Sequence, residues 1–117
     1  MSILQAITLF LLLVGLPVEA QTERAVPVAQ AVIKYFPVEA RQTALCTAFY
    51  ENQTFDPWAV SPTGDYGVMQ INLKTHRARI IRLDANVFEV DDNVRVAADI
   101  WAEQGWRPWS TRWRCER

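Results

Sequence analysis

A single histidine, only two cysteines and no real surplus of either charge set the first limits on what this chain can do. With His76 alone and no G-x-S-x-G segment, a serine triad has no footing. No two His or Cys residues stand at metal-ligand spacing, and no glycine-rich phosphate loop opens a helix, so neither a metal nor a cofactor is expected. His76 reads as a surface or helix-capping residue. The formal charge of −1, from 12 basic and 13 acidic side chains, gives no reason to expect nucleic acid as a partner, which would need a basic excess. The one local bias lies at the C-terminus, where Arg107, Arg112, Arg114 and Arg117 face only Glu103 and Glu116, as in a solvated tail.

Long apolar runs are scarce too. The exception, Ile3 to Leu16, spans about 14 residues, short of the roughly 20 that a membrane span needs. Pro17 and then Val18-Glu19-Ala20 follow it, in the manner of a signal-peptidase site, although no Lys or Arg precedes the run. Residues 1–20 are therefore expected to be a cleaved export signal. That leaves one domain over 21–117, periplasmic or secreted, with no stable membrane span. In an exported domain Cys46 and Cys115 are expected to pair. The bridge would close a loop of about 70 residues and contribute about 4 kcal/mol through chain entropy. A Cys46–His76 thiol pair is then set aside, because the disulfide consumes Cys46.

The elements read as follows. Val28, Ala31, Val32 and Tyr35 recur at helical spacing and predict a helix over Glu23 to Tyr35, stopped by Phe36-Pro37. Ala44, Leu45, Ala48 and Phe49 form one stripe of a second helix over Val38 to Asn52. Residues 53–65 carry Pro57, Pro62 and Gly64 without a period, and read as a loop with turns. Tyr66 to Asn72 fits a short strand or a helix start equally well. Thr75 to Leu83 is read as helical and Asp84 to Val90 as a connector. Asp92 to Gln104 is the clearest helix, capped by Asp91 or Asp92, with Val94, Ala97, Ala98 and Trp101 inward and Gly105 at its end. The fold class is mainly α: a small domain of packed helices around a long central loop or short β-hairpin.

By elimination the chemistry falls to carboxylates, and Glu51 is the unusual one. It sits one turn beyond Ala48, at the edge of the apolar stripe and near the helix C-terminus. Partial desolvation and the negative end of the helix dipole both favour its protonated form, as a general acid requires. From wheel position alone a solvated helix-end glutamate is the commoner reading.

The residues after Glu51 add a pattern. The stretch 50-YENQTFDPWAVSPTGDYGVMQIN-72 resembles the lytic-transglycosylase and goose-type lysozyme signature. The matching residues are Glu51, Asn52, Asp56-Pro57, Ala59-Val60-Ser61, Gly64 and Gly67-Val68-Met69-Gln70-Ile71, and a looser likeness extends through Trp106, Pro108 and Trp109. Asp65 departs from the transglycosylase pattern, which has a small residue there. Asp65 to Asn72 instead looks like the D-Y-G segment of c-type lysozymes, in which an acid works beside a second carboxylate.

The resemblance implies a lysozyme-like domain that cleaves the β-1,4 bond between N-acetylmuramic acid and N-acetylglucosamine in peptidoglycan glycan strands. Glu51 would be the catalytic acid, and Asp65 either a second catalytic group or a turn-capping residue. Ser61, Tyr66, Met69, Gln70 and Asn72 would bind substrate, by hydrogen bonds or by stacking on sugar faces. A transglycosylase is expected first, then a lysozyme-type hydrolase using Glu51 and Asp65, then a non-catalytic glycan-binding module. A cell-envelope secretion or phage assembly is a further partner the resemblance allows. Asn52-Gln53-Thr54 matches a glycosylation sequon, but its place beside Glu51 argues against modification.

Overall fold

A computed structural model describes residues 18–116. The expected export signal falls on residues 1–17, outside the described residues, and on Val18–Ala20, which already belong to the first helix. That helix, α1 (Val18–Tyr35), starts earlier than its periodicity predicts and carries Pro27 on its exposed side. Its inner face is built from Ala25, Val28, Ala29, Ala31 and Val32, all buried, and the small alanines let its main partner helix approach closely. Arg41 closes its C-terminal end by donating to the carbonyls of Phe36 (3.2 Å) and Ile33 (3.1 Å).

The second predicted helix divides in two. A 3-10 turn, Val38–Ala40, leads into α2 (Arg41–Glu51), whose buried face includes Ala44, Leu45, Ala48 and Phe49 as its stripe requires. The ambiguous 66–72 stretch is resolved as a hairpin. Strands β1 (Asp65–Tyr66) and β2 (Ile71–Asn72) pair antiparallel, with Asp65 opposite Asn72 and Tyr66 opposite Ile71. Two residues per strand are too few to show a period of two, which is why alternation does not reveal them.

Helix α3 (Leu73–Arg82) follows at once, its N-terminus capped by Asn72, whose side-chain oxygen accepts from Thr75 N–H at 2.9 Å. Helix α4 (Val90–Gln104) packs chiefly on α1, and Gly105, at φ +68°, ends it. Two expectations for α4 are corrected. The helix begins at Val90 behind Glu89, which makes no side-chain cap, so Asp91 and Asp92 lie within its first turn. Its inward face is also rotated: Asn93, Val94, Val96, Ala97 and Ile100 are buried, whereas Ala98 and Trp101 sit half-buried at the edge. The short α5 (Arg112–Cys115) is bonded to α2 by the Cys46–Cys115 disulfide, as expected. No helix among the described residues is long and apolar enough to cross a membrane.

Asn93 is the polar centre of this core. It is 0% exposed. Its amide nitrogen donates to the carbonyls of Tyr66 (2.9 Å) and Val87 (2.8 Å), and its oxygen accepts from Met69 N–H (2.9 Å). One side chain thereby ties α4 to the hairpin turn and to the connector before α4. Gly67 makes the close approach possible. At φ +76°, a Cβ there would run into the Asn93 amide and lie 2.5 Å from the Val87 oxygen.

Replacing Asn93 with Ala removes its three hydrogen bonds to backbone groups of the hairpin and the connector. The expected cost is about 3 kcal/mol or more in urea unfolding. Removing the disulfide with Cys46→Ala and Cys115→Ala, across a separation of 69 residues, should lower stability by about 2–4 kcal/mol in the same assay.

Candidate active site

Glu51 is the last residue of α2 and is half-buried. Burial pushes its carboxyl above the ordinary glutamate range, and the negative charge of Asp65 acts in the same direction. Thr111 opposes them: its hydroxyl donates to Glu51 Oε1 at 2.9 Å and stabilises the ionised form. The segment that supplies Thr111 precedes α5, which the disulfide fastens to the same helix that carries Glu51. The bridge and the hydroxyl therefore join the same two parts of the chain.

Asp65, on β1, is held the opposite way. Its partial burial works against ionisation, but three donors outweigh it and hold its carboxyl below the usual range. Thr63 and Ser61 hydroxyls reach Oδ2 at 2.6 and 2.7 Å, and the Asn72 amide reaches Oδ1 at 3.1 Å. The loop before β1 is itself organised from the end of α2. Asn52 is 7% exposed; its amide nitrogen donates to the Asp56 carbonyl (2.7 Å) and the Gly67 carbonyl (3.3 Å), and its oxygen accepts from Asp56 N–H (3.1 Å). A sequon asparagine so engaged offers no free amide.

The other predicted site residues are distributed unevenly. Gln70 and Asn72 join Asp65 along a small pocket of about 50 Å³ that also reaches Ile100 and Trp109. Gln70 adopts φ 51° and its amide donates to the Gly67 carbonyl at 2.9 Å, which fixes the side chain in the hairpin turn. Tyr66 faces the opposite side of the strand, beside Lys74 and Arg77, and meets Phe88 edge-on. Ser61 spends its hydroxyl on Asp65. Met69 is fully buried, with its N–H bonded to Asn93 and its carbonyl to the Trp109 indole N–H at 2.9 Å, so it forms the floor behind the site.

Among the tryptophans, Trp106 and Trp109 are buried, while Trp58 is 70% exposed and stacks on Phe88 at 5.3 Å. Trp58 thus offers an open ring face beside the loop. The C-terminal tail is not simply solvated, since the Arg114 guanidinium lies over the Tyr50 and Trp113 rings.

Sequence reasoning missed two residues and misplaced a third. Thr111 carries no local signal; only the pairing of Cys115 with Cys46 brings it to Glu51. Asn93 is a polar residue on an apolar stripe. His76 is not on the surface but 8% exposed, and its spacing of four from the buried Ile80 was the available sign.

The transglycosylase SLT domain description matches residues 47–107, from α2 through the end of α4. The chain belongs to the SLT transglycosylase domain family. SLT domains act on peptidoglycan, typically outside the cytoplasm, and cleave glycosidic bonds, so membership implies peptidoglycan as substrate class and glycosidic-bond cleavage as the general reaction. No curated protein and no solved structure matches the chain. The SLT match encloses Glu51, Asp65 and the hairpin, whereas Cys46, Thr111 and Cys115 lie beyond its ends.

The pKa values of the two carboxyls are shifted in opposite directions and the effect of Asp65 on Glu51 has a definite sign. Thr111→Val removes a donor to the ionised Glu51, so its titration by carboxyl ¹³C NMR should move to higher pH. Asp65→Asn removes a neighbouring negative charge, so the Glu51 titration should move to lower pH. Shifts of the reverse sign in either variant would mean that these neighbours do not set the Glu51 proton affinity.

Proposed function

We propose that this SLT domain is a peptidoglycan lytic transglycosylase that cleaves the β-1,4 bond between N-acetylmuramic acid and N-acetylglucosamine, with Glu51 as general acid and then base. The observation that supports this reading most is the division between the two carboxyls. Glu51 is driven towards its protonated form, while the nearby Asp65 is held ionised. Paired titratable groups whose surroundings push them apart are the usual mark of an acid and its partner, as in the lysozyme pair.

In this mechanism the Glu51 carboxyl gives its proton to the glycosidic oxygen as the C1–O bond breaks. Positive charge develops on the muramic acid ring, and the Asp65 carboxylate stabilises it. The sugar's own 6-hydroxyl then attacks C1. Its proton passes to the Glu51 carboxylate, which restores the acid and leaves a 1,6-anhydro end. The open face of Trp58 suits a sugar ring further along the strand. An exported, disulfide-bearing domain meets this substrate outside the cytoplasm.

A second reading, a muramidase in which water attacks C1, is supported by the presence of Asp65 itself. Three hydrogen bonds to its oxygens make Asp65 a better electrostatic partner than a nucleophile. That favours the transglycosylase.

Digestion of purified peptidoglycan with the protein lacking residues 1–20, read by mass spectrometry, separates the readings. Anhydro ends are expected; ordinary reducing ends would instead establish the hydrolase. Glu51→Gln should cut turnover by about 10²–10⁴-fold, and equal activity in that variant would remove Glu51 from the mechanism. Asp65→Asn should slow the transglycosylase but stop a hydrolase that depends on a second carboxylate.

A further inference from the structure

The cations of helix α3 divide into two sets. Arg79 and Arg82 reach across to α4, where both meet Asp99 and Arg79 also meets Glu103. Lys74 and Arg77 are exposed, and among the described residues neither is in an ion pair. Three residues apart, they are neighbours on the helix surface.

Both line a cavity of about 290 Å³, whose other walls are Thr63, Gly64, Tyr66 and Leu73. None of these residues is acidic. Asp65, between Gly64 and Tyr66 in the chain, spends its oxygens on Ser61, Thr63 and Asn72 and lines the smaller pocket instead. The cavity is many times the roughly 10–15 Å³ that one water requires, so it takes a group of side-chain size or larger. Its walls are also fixed in place. The Leu73 N–H donates to the Gly64 carbonyl at 3.2 Å, which sets the start of α3 against the hairpin. The Tyr66 ring is braced edge-on by Phe88 at 5.4 Å.

Asp65 and Tyr66 are consecutive residues of β1, and successive side chains of a strand point to opposite faces. The cavity is therefore the back of the strand whose front carries Asp65. A strand of peptidoglycan presents more than sugar, because its muramic acid units carry short peptides with free carboxylates. An extended peptide covers about 3.3–3.6 Å per residue, and paired strands lie about 4.8 Å apart, so a few residues pass round this hairpin. A carboxylate suits the two cations: the arginine fork can take both oxygens, and lysine adds a point charge.

We propose that this cavity is a second substrate site, in which Lys74 and Arg77 hold a free carboxylate of the peptide stem. The assignment rests on the peptidoglycan reading above and extends it from the sugar to the peptide. Neither cation touches a reacting atom. They add binding away from the cleaved bond and select strands whose stems are present and charged. Tyr66 and Leu73 supply the apolar wall beside which the peptide lies.

The test compares kcat/KM on three substrates: strands with intact stems, strands stripped of stems by an amidase, and strands whose stem carboxylates have been converted to amides. Wild type should prefer the intact strands by about three- to tenfold, the range for exposed to well-paired charged hydrogen bonds. The preference should act through KM more than kcat and shrink as salt rises. A double variant, Lys74→Ala with Arg77→Ala, should cleave all three alike, whereas Lys74→Arg with Arg77→Lys should keep most of the preference. These ratios do not depend on what fraction of a preparation is folded. If wild type cleaves intact and amidated strands equally well, or the double alanine variant keeps the full preference, the second site is overturned and the cell-wall reading stands. Wild type inactive on all three substrates overturns both.

Discussion

The amide of Asn93 is the interaction on which the rest of this domain depends. It lies on the helix that packs against α1, yet its three hydrogen bonds go to the hairpin turn and to the connector before α4. A two-stranded hairpin with two residues per strand is far too small to be stable alone. Asn93 supplies the partners that its turn lacks, and Gly67 supplies the room. Asn52 repeats the device from α2, holding the loop that runs into β1. The cleft is therefore a short, irregular stretch held between the ends of helices by two buried amides. Its rigidity comes from those amides and not from the strand pairing.

That arrangement explains how two carboxyls in one small domain acquire opposite tendencies. Glu51 leaves the end of a helix half-buried, with one hydroxyl donor. Asp65 leaves a turn whose own residues, Ser61 and Thr63, bring hydroxyls to it, and the strand opposite adds the Asn72 amide. Nothing about Asp or Glu as residue types decides this. Three side-chain donors draw the Asp65 pKa down, whereas burial outweighs the Thr111 hydrogen bonds at Glu51 and draws its pKa up.

Much of this was legible in the sequence, and the remainder was hidden for identifiable reasons. Helices that bury one face repeat their apolar residues at 3.6, and the predicted helices are present with shifted ends. The pairing of Cys46 with Cys115 followed from cysteine count in a chain expected to be exported. The ordered motif from Glu51 to Asn72 pointed to the family, and the SLT match encloses it, because several residues recur at set separations. What stayed hidden were polar residues whose partners lie far along the chain: Asn93 reaches back 24 residues to Met69, and Thr111 reaches back 60 to Glu51. Periodicity sees burial of apolar faces, and a buried amide or imidazole on such a face reads as an edge. His76 was misplaced for that reason.

The C-terminal segment shows how narrow the electrostatic tolerance at Glu51 is. A half-buried carboxyl with a raised pKa favours the protonated folded state, so its contribution to stability is full below the unfolded pKa and is lost as pH rises through the folded one. The chain limits that loss with the hydroxyl and the backbone of one residue, Thr111, from a segment held against α2 by the disulfide and lying outside the SLT match. A cation would have limited it further. Arg112 and Arg114 are within three residues of Thr111 in sequence, but among the described residues no ion pair joins either to Glu51. Arg114 instead rests on aromatic faces. An arginine against Glu51 would stabilise the fold at neutral pH by holding the carboxyl ionised, and would remove the proton that the proposed mechanism needs. In the proposed mechanism the weaker neutral donors of Thr111 keep Glu51 oriented while leaving it able to carry a proton, which would tie the choice of Thr111 to the chemistry and not to the packing of the tail.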